Sequence, residues 1–377
     1  MRKIFHSRIL KGAFSLFLAG WTLRVTAAQP LPYQQIGAGV QYVNERMSEI
    51  PWSIHIVKID RRRHDLKFVT TKAQGKVYAL SSIVDQIDSV PAERGHAVAA
   101  INGDFFSWRN KPYQGDPRGL QIVDGEMISA PCGEACFWME GAKPKMGKVV
   151  SQCKVIWPDG TKLPIGLNEE RGQAAAVLMT PALCESTRTT NGMELILEKD
   201  GEEWLPLRAG KMYSARVREI SGTNTPLNPD VLVLSLGPDC PAPEIKEGMR
   251  LKISTATLPE VSRANMAIAG GPLLVHRGKP LPRPVVANEK SRAPRTAFGW
   301  NGSDYFFVVV DGRRKDVSDG MTFSELAKEM VSLGCQEAMN LDGGGSSTIW
   351  AGGKVLNQPS DNHIRSVANA LICVQKK

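Results

Sequence analysis

The chain has 377 residues, 42% of them hydrophobic and 23% charged, which is enough for one large domain or two smaller ones. Its formal charge of +9 falls to +4 once residues 2–24, with five basic side chains and no acid, are set aside. The remaining basic residues are scattered, apart from the triplet Arg61, Arg62 and Arg63, and this excludes the clustered basic face of a nucleic-acid binder.

In chain order, Arg2, Lys3, Arg8 and Lys11 precede an apolar stretch from Ala13 to Leu23 that is too short to span a bilayer. Small residues at Val25-Thr26-Ala27 and Thr26-Ala27-Ala28 then offer cleavage sites. Residues 1–28 therefore read as a secretory signal, and 29–377 as an exported domain, periplasmic or extracellular. No later run is apolar and long enough to cross a membrane as a helix. The mature chain keeps seven cysteines; an oxidising compartment could pair some of them, and Cys132 with Cys136 is the pair closest in sequence.

Strand-like runs follow at 52–59, 66–70, 97–101, 120–123, 231–236 and 251–254, with hairpin turns expected at Asp124-Gly125, Asp159-Gly160 and Asp200-Gly201. Helical spacing is rare: 81–87 carries Ile83, Val84 and Ile87 on one face. The predicted class is α+β, a strand-rich mixed sheet with few helices, and 135–260 reads as a subdomain or insertion.

The C-terminal third predicts a strand–helix–strand unit. Thr296–Trp300 and the run Tyr305–Val310 flank the turn signal Asn301-Gly302. Thr322-Phe323-Ser324-Glu325 has capping-box spacing, Phe323, Leu326, Ala327, Met330 and Val331 recur at helical spacing, and Gly334 stands where that helix stops. Ala338–Leu341 resumes an extended run. If the two outer strands are parallel neighbours, Asp311 and Asp342 sit at their carboxyl ends, the edge where open α/β sheets bind ligands.

Asn340-Leu341-Asp342-Gly343-Gly344-Gly345-Ser346-Ser347 is the most informative segment. Three glycines permit a sharp turn and a close ligand approach, and their amides could face an anion beside the Asp342 carboxylate. Three other polar segments accompany it. Asn102-Gly103-Asp104 ends an apolar strand ahead of Phe105 and Phe106. Arg292 and Arg295 precede Thr296. Asp361, His363 and Arg365 occupy a polar loop, with His363 read as an exposed loop residue.

Six segments, INGDFF (101–106), GGPLL (270–274), PRTAFGW (294–300), VVDGR (309–313), NLDGGGSST (340–348) and RSVANAL (365–371), resemble the phosphodiester glycosidase family in content and order. The resemblance implies hydrolysis of a sugar phosphodiester, with a phosphorylated glycan as partner and no resident cofactor. A phosphate monoester leaves readily, so the expected site holds phosphate and stabilises oxocarbenium-like charge. Asp342, Asp311 and Asp104 are the catalytic candidates. Arg295, Arg365, the Gly343 and Gly344 amides, and Ser346 or Ser347 are assigned to the phosphate, with Asn102, Thr296 and Asn340 as orienting groups. Two alternatives stand beside this: a phosphodiesterase with a divalent cation on Asp311, Asp342 and Asp104, and a non-catalytic glycan-binding protein of the cell envelope.

Overall fold

Continuous apolar runs become strands covered on both faces, because successive side chains leave a strand on opposite sides. In the computed structural model, which describes residues 31–47, 49–109, 111–201, 203–282, 291–315 and 317–376, Tyr33–Lys377 forms one compact unit. The proposed signal at 1–28 lies outside the described residues. No helix among the described residues is long and apolar enough to cross a membrane.

One eight-stranded sheet runs from edge to edge through Gln34–Gly37, Val40–Met47, Trp52–Asp60, Asp304–Val310, Arg295–Trp300, Glu337–Asn340, Leu273–His276 and Lys279–Pro280. A five-stranded sheet holds Lys354–Val355, Ile349–Ala351, His96–Asn102, Ala370–Gln375 and Leu66–Thr70. A six-stranded sheet includes Cys132–Glu140 and Met266–Ala269. The second eight-stranded sheet draws all its strands from residues 154–254, inside the 135–260 stretch. Among the described residues strand pairing is antiparallel, except where Gly166–Leu167 meets Ala176–Met179.

Alternation puts the six-stranded sheet between two cores. Cys136 and Trp138 face the 154–254 sheet, with Leu195, Leu234 and Ile253. Ala135 and Phe137 face the other two sheets, where Phe137 meets Phe298 at 4.4 Å between ring centroids. The same alternation turns Ala99 and Ile101 inward, while Ala100 packs under the short helix Ile83–Asp88.

The C-terminal unit forms with one correction. The helix is Phe323–Ser332, with Thr322 and Glu325 closing the capping box and Gly334 in the left-handed region at φ +78°. Asp304–Val310 and Glu337–Asn340 both pair antiparallel with Arg295–Trp300, which lies between them. They are therefore parallel to each other but not neighbours. The unit thus leaves the carboxyl ends of both outer strands and the start of Arg295–Trp300 on one edge. Asp124-Gly125 and Asp159-Gly160 turn tight hairpins. Asp200-Gly201 instead opens a longer connection between the paired strands Met193–Lys199 and Met212–Ser221. All seven cysteines are free, Cys132 and Cys136 included. The register shifts between Cys132 and Ala135, leaving Cys132 exposed while Cys136 points into the core.

Candidate active site

The glycine segment connects two sheets. It leaves the strand Glu337–Asn340 of the first sheet and enters Ile349–Ala351 of the five-stranded one. Asn102, fully buried at the end of His96–Asn102, fixes that crossing. Its Nδ2 donates to the Asp342 carbonyl at 2.7 Å, and its Oδ1 accepts from Thr296 Oγ1 at 2.8 Å and the Thr348 amide at 3.0 Å. Asn340 Nδ2 donates to the Gly271 carbonyl at 2.8 Å. The three orienting candidates thus act together to tie the loop to both sheet edges.

The loop amides face inward. Gly343 N donates to Asp342 Oδ1 at 2.9 Å and Gly344 N to the Pro294 carbonyl at 2.9 Å, so neither forms the expected anion nest. Each of these two glycines meets a steric limit. A Cβ on Gly343 would lie 2.8 Å from the Pro294 carbonyl oxygen, and Gly344 adopts φ +63°. On Gly345 it would lie 2.1 Å from Arg365 Nη2 and 2.2 Å from Asp361 Oδ2. The third glycine makes room for an ion pair, Arg365 Nη2 to Asp361 Oδ2 at 2.6 Å.

That pair borders a crevice of about 480 Å³ whose lining includes Asp342, Arg365, Arg118, Asp116, Glu169 and Trp108. Burial pushes the Asp342 carboxyl up to about 6, against the Ser346 hydroxyl, the Gly343 amide and the Arg365 charge, which pull it down. Ser346, fully buried, lies between acid and base: it hydrogen-bonds Asp342, and Arg365 Nη1 is 3.5 Å from its Oγ. Ser347 Oγ is buried without a hydrogen-bond partner among the described residues.

Asp104 is near this group but differently engaged. Its Oδ1 accepts from Phe105 N at 2.7 Å and its Oδ2 from Gly119 N at 2.8 Å. Burial raises its carboxyl to about 7 despite those amides, and the Asp342 charge adds to the rise. Both oxygens accept from the turn that presents Arg118, so Asp104 braces that turn. It lines an adjoining cavity of about 460 Å³ that shares Phe105 and Arg118 with the crevice.

Two other candidates are engaged elsewhere. Arg295 donates from Nε to the Met321 carbonyl at 2.8 Å and from Nη2 to the Ser291 carbonyl at 3.1 Å, and its guanidinium lies 3.9 Å over the Phe323 ring. Its fork holds the capped helix to the sheet, which commits the donors expected on phosphate. Asp311 accepts the Gln358 amide at 3.1 Å on Oδ1 and lies 2.9 Å from His55 Nε2 on Oδ2. It is not among the residues lining the crevice. Among the described residues no group of three or more His, Cys, Asp or Glu is placed to hold a metal, so Asp311, Asp342 and Asp104 do not assemble as a cation site. His363 is exposed, as expected.

Sequence reasoning missed Arg118, Asp116, Glu169 and Trp108. The turn-rich stretch Gly115-Asp116-Pro117-Arg118-Gly119 just after INGDFF was a usable signal for the first two. Glu169 had none, since it arrives from the segment that builds the 154–254 sheet. Burial raises the Asp116 carboxyl to about 7, with the negative charges of Glu169, Glu170 and Asp104 adding to it, and burial also raises Glu169.

Residues 221–374 match the phosphodiester glycosidase family, a span that contains five of the six motifs and leaves INGDFF outside. An uncharacterized SPbeta prophage-derived protein of Bacillus subtilis strain 168 is 34% identical over 111 residues, 29% of this chain and 17% of that protein. A solved structure from Synechocystis aligns with TM-score 0.71 at 21% identity, over 89% of this chain and 62% of the other. One from Burkholderia pseudomallei K96243 aligns at 0.65 and 20% identity, over 86% and 74%. The chain thus spans less than two thirds of the Bacillus and Synechocystis proteins. The two structures share its fold.

Proposed function

We propose that this chain is an exported hydrolase that cleaves the glycosidic C–O bond of a sugar-1-phosphodiester, with Asp342 as its central carboxylate. The observation that carries the reading is the Asp342–Ser346–Arg365 grouping at the crevice, where a carboxylate and a guanidinium flank one buried hydroxyl. The family match over residues 221–374 supports the reaction class. Export rests on the basic and apolar pattern of residues 1–28.

The chemistry follows from the charges. Arg118, which donates no side-chain hydrogen bond to any described residue, holds the phosphate, and Arg365, paired through Nε and Nη2 with Asp361, adds its remaining Nη1 edge beside Ser346. The leaving phosphate monoester carries its own negative charge and departs without protonation. Ionised Asp342 stabilises the positive charge that develops at the anomeric carbon and accepts a proton from the attacking water. The water oxygen bonds to that carbon as the C–O bond breaks, giving free sugar and a phosphate monoester. Trp108, 55% exposed at the rim, offers a ring face to the sugar.

The test is hydrolysis of an N-acetylglucosamine-1-phospho-alkyl diester and related sugar phosphodiesters in ¹⁸O-water. Label in the free sugar supports C–O cleavage. Label in the phosphate means P–O cleavage and overturns the reading, as does the absence of turnover across the series.

A further inference from the structure

The strand Asp304–Val310 has Asp311 after one end; near its other end, on the order of 20 Å away at about 3.3 Å per residue, lies a separate cavity. It has a volume of about 350 Å³ and opens among the Asp60–Leu66 turn, the Gly141–Ala142 turn and Lys376. Its floor is apolar, made by Leu66, Phe68, Met139, Met266 and Tyr305, and its rim carries Arg61, Lys67, Lys376 and His64.

The rim charges divide into two groups. Arg63 is bidentate on Asp65 at 3.0 and 2.5 Å, and Asp60 accepts Arg62 at 2.9 Å on both oxygens, so these are neutralised. Arg61, Lys67 and Lys376 have no acidic ion-pair partner among the described residues. Arg61 is nonetheless held in place: its Nη1 donates to the Asn301 carbonyl and its guanidinium carbon stands 4.9 Å over the Tyr305 ring. Three uncompensated cations around an apolar floor repel one another and attract an anion. Apolar and polar surface share the lining about equally, so the cavity can take an apolar body and an anionic head together.

We propose that this cavity binds an amphipathic phosphate ester, with its anionic head on Arg61, Lys67 and Lys376 and its apolar body on Phe68, Met139 and Met266. A phosphate monoester fits the rim better than a carboxylate, because its three terminal oxygens and near-double charge match three cations, one of them a guanidinium fork. The site stands apart from the crevice and does not depend on the reaction assigned there.

The experiment is calorimetric titration of the purified chain with hexyl phosphate, beside the double variant Lys67→Glu/Lys376→Glu, whose two side chains are exposed. Wild type binds and the double variant binds at least tenfold more weakly, with its melting temperature and crevice activity unchanged. Inorganic phosphate binding as tightly as hexyl phosphate would remove the apolar floor from the account and overturn it. So would binding that survives the double variant and is lost in Arg365→Ala, which places the ester in the crevice, or no binding at all. Vesicles containing phosphatidic acid identify the source. If their binding is lost in the double variant the head belongs to a lipid surface, and if only the soluble ester binds the ligand is a free phosphate ester; both outcomes uphold the site.

Discussion

His55 Nε2 lies 2.9 Å from Asp311 Oδ2, and the two side chains, at residue exposures of 5% and 3%, join adjacent strands beneath the glycine loop. Asn357 extends this join, its Nδ2 donating to the Ser347 carbonyl at 3.0 Å and reaching toward Asp311 Oδ1 at 3.4 Å. The relationship makes Asp311 a support of the loop, outside the residues that line the crevice.

Removing one member of a buried polar pair strands the other, at a cost of about 3–5 kcal/mol. Asp311→Ala should therefore lower the urea midpoint strongly, and His55→Ala/Asp311→Ala should cost less than the two single losses added together. Unchanged stability with abolished turnover in Asp311→Ala would return Asp311 to the catalytic set.

Asp342→Asn should abolish turnover and raise stability above about pH 6. The sign follows from the direction of the shift: the folded carboxyl, at about 6, lies above its ordinary value of 3.8, so ionisation favours the unfolded chain. This contribution is intact below pH 3.8 and is lost as pH rises through 6. Asparagine escapes the loss, and the gain at pH 8, about 1–3 kcal/mol, should vanish by pH 4. Thermal melts at the two pH values check it.

The rate should share that ionisation. With Asp342 as the base, kcat/KM falls on the acid side with a midpoint near pH 6, in a titration coupled to Asp104 at about 7. A profile flat down to pH 4 would exclude Asp342 from proton transfer.

Two neighbouring glycines should behave differently when replaced by alanine. Gly345→Ala meets the Arg365 guanidinium and the Asp361 carboxylate, side-chain ends rather than backbone, so the fold should lose less than about 1 kcal/mol while Arg365 shifts and kcat/KM drops roughly tenfold or more. Gly343→Ala meets the Pro294 backbone carbonyl, which cannot move alone, and should cost about 1–3 kcal/mol. Urea melts paired with steady-state kinetics on both variants separate the two effects.

Local chemistry was enough to determine much of this protein. Strand runs, the Thr322–Glu325 capping box and the Asn301-Gly302 turn are written in short windows, because side-chain alternation, cap hydrogen bonds and turn geometry act over a few residues. The order of the six motifs likewise disclosed the family resemblance, and Asp342 with Arg365 does border one crevice. Only the tertiary structure decided which polar groups remain available for chemistry. Arg295 and Asp311 look like ligand-binding residues in sequence, yet a carbonyl-lined helix contact and a histidine 256 positions away engage them. Arg118 and Glu169 look ordinary in sequence, yet sheet packing brings them to Asp342. A buried polar group must find a partner, and which partner lies within reach is set by contacts between segments far apart in the chain.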